Sequence, residues 1–227
     1  MNSAVRALIG VAALGAILVG TPARAAIWSL SYGSVYTGDT PTSATPWLTA
    51  TFDDSPTLGV LLTLNASLET PSEFISTVKF NFNPALTKSY LTFTNMSATG
   101  ASLPSTTVGN ITGQGQTFDF AFGFQTANGD GRFAGTDEFQ TLILYENNGI
   151  NAGALSVGDF QFLSDATESN VPQYSLAHLQ GIPSPGDSGW IAPGEGGGPP
   201  TGVPEPGTIL LLGSALAAIG LRRRFRF

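Results

Sequence analysis

The sequence predicts an all-β domain, an antiparallel β-sandwich of jelly-roll-like arrangement, and three observations predict it. Apolar residues in the body of the 227-residue chain recur mostly with period two, as in Phe118, Phe120, Phe122 and Phe124. No stretch of the body sustains a 3.6-residue period with caps over ten residues. Turn chemistry separates the runs, at Asn83-Pro84, Asn128-Gly129-Asp130-Gly131 and Asn147-Asn148-Gly149. Strands with a single apolar face must bury that face against a second layer, which makes two packed sheets the expected architecture.

In order along the chain, strands are expected at 27–36, 58–68, 73–81, 89–96, 116–126, 138–146, 159–163 and 174–182. Phe80 in the third and Phe82 just past its end share one face, and the fourth carries Leu91 and Phe93. In 116–126 the phenylalanines point one way while Asp119, Ala121 and Gly123 point the other, so that row fills the core rather than lining a ligand groove. The domain is expected over 26–182, reaching 191 if Trp190 and Ile191 fold back on its edge. From 183 to 202 the composition turns to Pro and Gly, which cannot bury a core and reads as a flexible linker.

Both ends read as addresses. Residues 1–25 match a secretory signal peptide, with Arg6, an apolar run from Ala7 to Val19, and Ala23-Arg24-Ala25 as the cleavage site. Export through the secretion translocon and trimming by signal peptidase follow. At the other end stand Val203, Pro204, Glu205 and Pro206, an uncharged run from Thr208 to Leu221, and Arg222, Arg223, Arg224 and Arg226. Fourteen helical residues span about 21 Å against a hydrocarbon core of about 30 Å, so the expected transmembrane helix is short. The arginines hold its end in the cytoplasm, which places Glu205 at the outer lipid boundary. The prolines keep Glu205 in an extended segment that a protease could read. On these residues alone, cleavage and permanent anchoring are equally open.

The three-part tail over 203–227 resembles the PEP-CTERM sorting signal of Gram-negative bacteria. That resemblance implies recognition and cutting by an exosortase, a membrane-embedded cysteine transpeptidase, after transient insertion in the inner membrane. It also implies a producer that secretes exopolysaccharide, with delivery to the cell surface or extracellular space. A lipid-anchor signal of the eukaryotic type would end apolar, and this chain ends in arginines. A second resemblance, to a recurrent ectodomain of PEP-CTERM proteins, rests on Gly131-Arg132-Phe133, on Ala177 to Ile182 and on Gly186 to Ile191; it implies one domain over about 26–191 and no catalytic activity.

Charge and composition narrow the chemistry. Between the two ends the chain carries 15 acids against Lys79, Lys88 and Arg132, a net charge of about −12 compared with −7 overall. Such a surface repels phosphate backbones and excludes nucleic acid as a partner. Cysteine is absent, so there is neither disulfide nor thiolate. Gly186-Asp187-Ser188-Gly189 looks like a serine-protease nucleophile loop, but His178, the one histidine, is only ten residues upstream. A turn in a Gly/Pro-rich segment accounts for the match. One histidine also cannot build a zinc site with such sparse partners. Asn128, Asp130, Asp137 and Glu138 are candidate Ca²⁺ ligands, with Asp53-Asp54 as outlying donors, though the spacing lacks an EF-hand's third ligand and terminal glutamate. No cofactor is otherwise expected. Asp119 and the Asp137-Glu138 pair are the available carboxylates for glycoside cleavage, with nothing to pair them. The sequons at Asn65, Asn95 and Asn110 follow from an Asn/Ser/Thr-rich composition.

The expectation is therefore a non-enzymatic surface or matrix protein in exopolysaccharide or biofilm. The alternative is a carbohydrate-binding module stacking sugars on exposed Trp28, Trp47, Trp190 or tyrosine residues, and a secreted hydrolase comes third.

Overall fold

The computed structural model describes residues 25–127, 130–167, 169–183 and 187–194. The expected signal peptide, the sorting tail and most of the linker lie outside these residues. Thirteen strands form: β1 (Ile27–Gly38), β2 (Leu48–Asp53), β3 (Gly59–Ala66), β4 (Phe74–Phe80), β5 (Leu91–Thr99), β6 (Ser105–Gly113), β7 (Gln116–Gly123), β8 (Phe133–Ala134), β9 (Glu138–Asn147), β10 (Ile150–Gly153), β11 (Asp165–Ala166), β12 (Ser175–Gln180) and β13 (Ser188–Pro193). Among the described residues the remaining regular pieces are two 3₁₀ turns, Lys88–Tyr90 and Val157–Phe160.

Every ladder is antiparallel, and hydrogen bonding runs through one continuous sheet. Its main course is β9-β3-β2-β1-β13-β12-β4-β7. β5 lines the other side of β9, and β6 lines the other side of β7, so these two strands end the sheet. The sheet folds over, because side chains from its two ends meet. Phe122 of β7 lies 5.1 Å from Phe139 of β9, and Phe93 of β5 lies 5.4 Å from Phe122, ring centre to ring centre. Phe52, Phe80, Phe120 and Phe160 fill the space between as a chain of stacked and edge-on pairs. Each such pair adds about 0.5–1.5 kcal/mol beyond simple burial.

Most expected strands form, as in β9, where Phe139, Thr141, Ile143 and Tyr145 are buried while the residues between them are half-exposed. β2 was not among the expected strands, although Leu48, Ala50 and Phe52 are buried there and the residues between them half-exposed. The Asn148-Gly149 turn adopts positive φ at both residues, the geometry that closes a two-residue hairpin between β9 and β10. Three expectations change. The segment expected as a strand at 159–163 begins instead within a 3₁₀ turn, because Asp159 Oδ2 accepts both the Ser156 amide and hydroxyl at 2.9 Å and caps it. The strand expected from residue 89 opens with the 3₁₀ turn Lys88–Tyr90. Ser188–Pro193, expected mainly as linker, is a strand at the middle of the sheet, paired with β1 on one side and β12 on the other.

The phenylalanine row is also split. Phe120, Phe122 and Phe124 enter the main core, whereas Phe118 packs with Leu176 and Ala192 in a second small cluster. The β4–β7 ladder ends at Phe80 opposite Phe120, and β7 continues beside β11. A bulge in β6 opposite this point, between Val108 and Ile111, strengthens the local twist.

Candidate functional site

At the level of that bulge an open cleft of about 440 Å³ forms between the turn Lys88–Tyr90, β6, β7 and the loop leading into β11. Its polar centre is Asp119, an outward-facing residue of β7. One carboxylate oxygen accepts the Phe82 backbone amide at 2.9 Å, standing in for a ladder partner where β4 has ended. The other accepts the Lys88 ammonium at 2.5 Å, and Lys88 donates also to Asn110 Oδ1 at 2.6 Å. This is the one ion pair among the described residues, and both partners keep partial solvent access. Asn83 donates to Asp159 Oδ1 and accepts from the Ala85 amide, which fixes the loop after β4 that forms the cleft wall. Leu163 and Pro84 line the same cleft with apolar surface, and Asp165 stands at its rim.

A second constellation lies on the sheet face away from the main core. His178 stacks on Trp190 at 4.6 Å, and the Lys79 ammonium sits 4.6 Å from the centre of a Trp190 ring. His178 Nδ1 is 2.9 Å from Ser76 Oγ and accepts from Gln180 Nε2 at 3.3 Å. Burial holds the imidazole below its ordinary value, and the Lys79 charge pushes it further down. Burial likewise lowers Lys79, whose ammonium donates to the Thr112 carbonyl at 3.1 Å. The arrangement is an imidazole clamped between neighbours, and among the described residues no carboxylate hydrogen-bonds to it to orient it as a base.

Glu73 forms a third, fully enclosed site. Burial alone would raise its pKa, but hydrogen bonds from the Ser43 hydroxyl and from the Thr42 amide and hydroxyl, at 2.6–2.8 Å, leave it below the ordinary carboxylate range. It ties the loop between β1 and β2 onto the sheet and is a structural clasp.

The residues singled out from sequence are dispersed. Trp28 and Trp47 are 3% and 4% exposed and belong to the main core, so neither can stack on a sugar; Trp190 alone keeps partial exposure. Asp137 accepts the Ala134 amide at 2.9 Å within a turn, and Glu138 accepts the Gln140 side chain. Asp130 accepts a Gln125 hydrogen bond through its carbonyl only, and Asn128 lies outside the described residues. Asp54 is spent on the amides of Ala26 and Val157, and Asp53 on Ser55. Among the described residues no three acidic or histidine side chains gather around a point where a metal would sit. Ser188 is in β13, paired with Gln180, two residues along β12 from His178. Asn110 is exposed at the cleft mouth, and Asn65 lies on β3. Ala25 is exposed at the start of the described chain, while Ala23, Val203, Pro204, Glu205, Pro206, Arg222, Arg223, Arg224 and Arg226 lie outside it.

Sequence reasoning missed Lys88, Asn110, Asp165 and Leu163. Lys88 carried the one usable signal, being one of three cations in a strongly acidic body.

Residues 202–224 match the family model of the PEP-CTERM protein-sorting motif. No curated protein and no solved structure matches the chain. The chain thus carries a PEP-CTERM sorting motif, the mark of exported proteins that an exosortase processes at the membrane on their way to the cell surface.

Proposed function

We propose that this chain is a non-catalytic component of the cell surface or extracellular matrix. On this reading an exosortase releases its acidic β-domain by cutting near Pro204-Glu205-Pro206, and the domain then resides among exopolysaccharide. The observation that carries the reading is the sorting-motif match at residues 202–224. The charge distribution supports it: an excess of acid between the two ends keeps a matrix protein soluble and separate from nucleic acid. The engagement of the acids supports the non-catalytic part. Asp54, Glu73, Asp119, Asp137 and Asp159 each accept backbone amides, so their carboxylates hold structure. We read the two facing ends of the sheet as the layers of a sandwich, which gives a rigid body with a Gly/Pro tether behind it.

The test is expression in a host with and without its exosortase, followed by fractionation and mass spectrometry. The released protein is expected to lack the arginine-rich tail, and replacing Glu205 and its flanking prolines by alanine is expected to leave the protein in the membrane fraction. Released protein with an intact tail would overturn the processing step. Turnover in a broad panel of glycosidase, esterase and peptidase substrates would overturn the non-catalytic assignment.

A further inference from the structure

The cleft beside the Lys88–Asp119 pair is built as a binding site. Its volume of about 440 Å³ lies within the roughly 300–1,000 Å³ typical of small-molecule sites. Its lining is mixed: Leu163, which is 52% exposed, offers an apolar platform, and Asn110, Thr117 and Asp165 offer polar groups. The side chains of Thr117 and Asp165 make no hydrogen bond to another described residue, and the Asn110 amide nitrogen is equally unspent. The Lys88 ammonium and Asp119 are already locked together, so the polar wall is held in place before any ligand arrives.

The charges decide what fits. Lys88 and Asp119 cancel, which leaves Asp165 unbalanced in a body of net charge about −12. Carboxylated or phosphorylated ligands would meet repulsion at the rim and across the surface. A divalent cation would meet the Lys88 ammonium and find no three acidic or histidine side chains gathered among the described residues. A wholly apolar ligand would bury the amide, hydroxyl and carboxylate groups without partners, which is unfavourable. A ring with hydroxyls around its edge and C–H groups on its face matches both kinds of lining.

We propose that this cleft binds a neutral hexose unit of a polysaccharide. Ring hydroxyls would bridge Asn110, Thr117 and Asp165, and the C–H face would lie on Leu163. The inference takes its extracellular setting from the reading above and adds a ligand site to it. It moves sugar binding from the tryptophans, two of which are in the core, to a cleft lined by Leu163 and the half-buried Phe162.

The test uses the full-length protein in a non-glycosidic detergent, because a maltoside or glucoside would compete. Calorimetric titration with neutral gluco- and manno-oligosaccharides is run in parallel with uronate oligomers of equal length. At least one neutral series is expected to bind with Kd on the order of 0.1–1 mM, with the uronates at least about ten-fold weaker. Leu163→Asp and Asn110→Ala change exposed side chains and are expected to keep the melting temperature while weakening the neutral ligand at least about ten-fold. Three results would overturn the proposal: no binding of any neutral series, preference for uronates, or neutral-sugar binding that survives both substitutions. Exosortase-dependent release is measured separately on the same variants, so loss of binding with normal release would remove the site and leave the exported role standing.

Discussion

His178 shows how a single side chain sets a response to acid. It is packed on Trp190, faces Ser76 and Gln180, and has the Lys79 charge nearby, with burial the larger cause of its lowered pKa. Below its ordinary value of 6.5 the unfolded chain takes up a proton that the folded imidazole does not. Stability is therefore lost as pH falls from about 6.5 toward the lower folded value. The drop in melting temperature between pH 7 and 5.5 is expected to shrink in His178→Phe. Glu73 acts lower on the scale. Its folded value lies below 4.5, so its contribution is present above 4.5 and disappears as pH falls through the folded value. Glu73→Ala would strand the Thr42 amide and the Ser43 hydroxyl, and is expected to cost about 3 kcal/mol in urea unfolding. Neither role was visible in the sequence, where Glu73 is simply one acid in sixteen. The tryptophans show the same limit. Period-two alternation says that Trp28 shares a face with Leu30 and Tyr32, but which face becomes the core depends on strands far away in sequence.

At the scale of elements, β13 is the most consequential strand and was the hardest to read. Ser188 to Pro193 is a six-residue run between Gly- and Pro-rich flanks, with a local composition that favours a tether. Its place is decided by partners well over a hundred residues away in β1 and nearby in β12, both satisfied only when it lies between them. Gly189 is required there: a Cβ would come within 2.2 Å of the Asp39 carbonyl oxygen. Gly189→Ala is expected to destabilise by about 2 kcal/mol or more by forcing backbone apart. Ending the chain after residue 187 is expected to abolish the cooperative unfolding transition seen by circular dichroism, whereas a free linker would tolerate the cut. β6 escaped for a different reason. No side chain of Ser105–Gly113 is fully buried, so it presents no apolar face to detect. β9 alternates strictly and was legible from its side chains, because burial on one face writes that pattern; β4 and β12 are buried on both faces and were read as apolar runs, while β2 alternates as strictly as β9 and was not among the expected strands.

For the molecule as a whole, the sequence disclosed the antiparallel β class and the sorting motif, since each is encoded in a contiguous run. The folding-over of one continuous sheet and the cleft were not legible, because both arise where segments distant in sequence meet. Asp119 meets Lys88 across the bulge in β6, and Leu163 arrives from the loop before β11. The two strands that end the sheet, β5 and β6, follow one another in the chain and each has a ladder on one side only. Backbone amides along their free sides answer to solvent rather than to a neighbour. In deuterium oxide the alternate amides of 91–99 and 105–113 should therefore label within the earliest time points, long before Ala177 and Ile191, which sit between partners on both sides. The wrapped sheet thus keeps two free margins along which it can breathe, and its central strands open only when the entire domain unfolds.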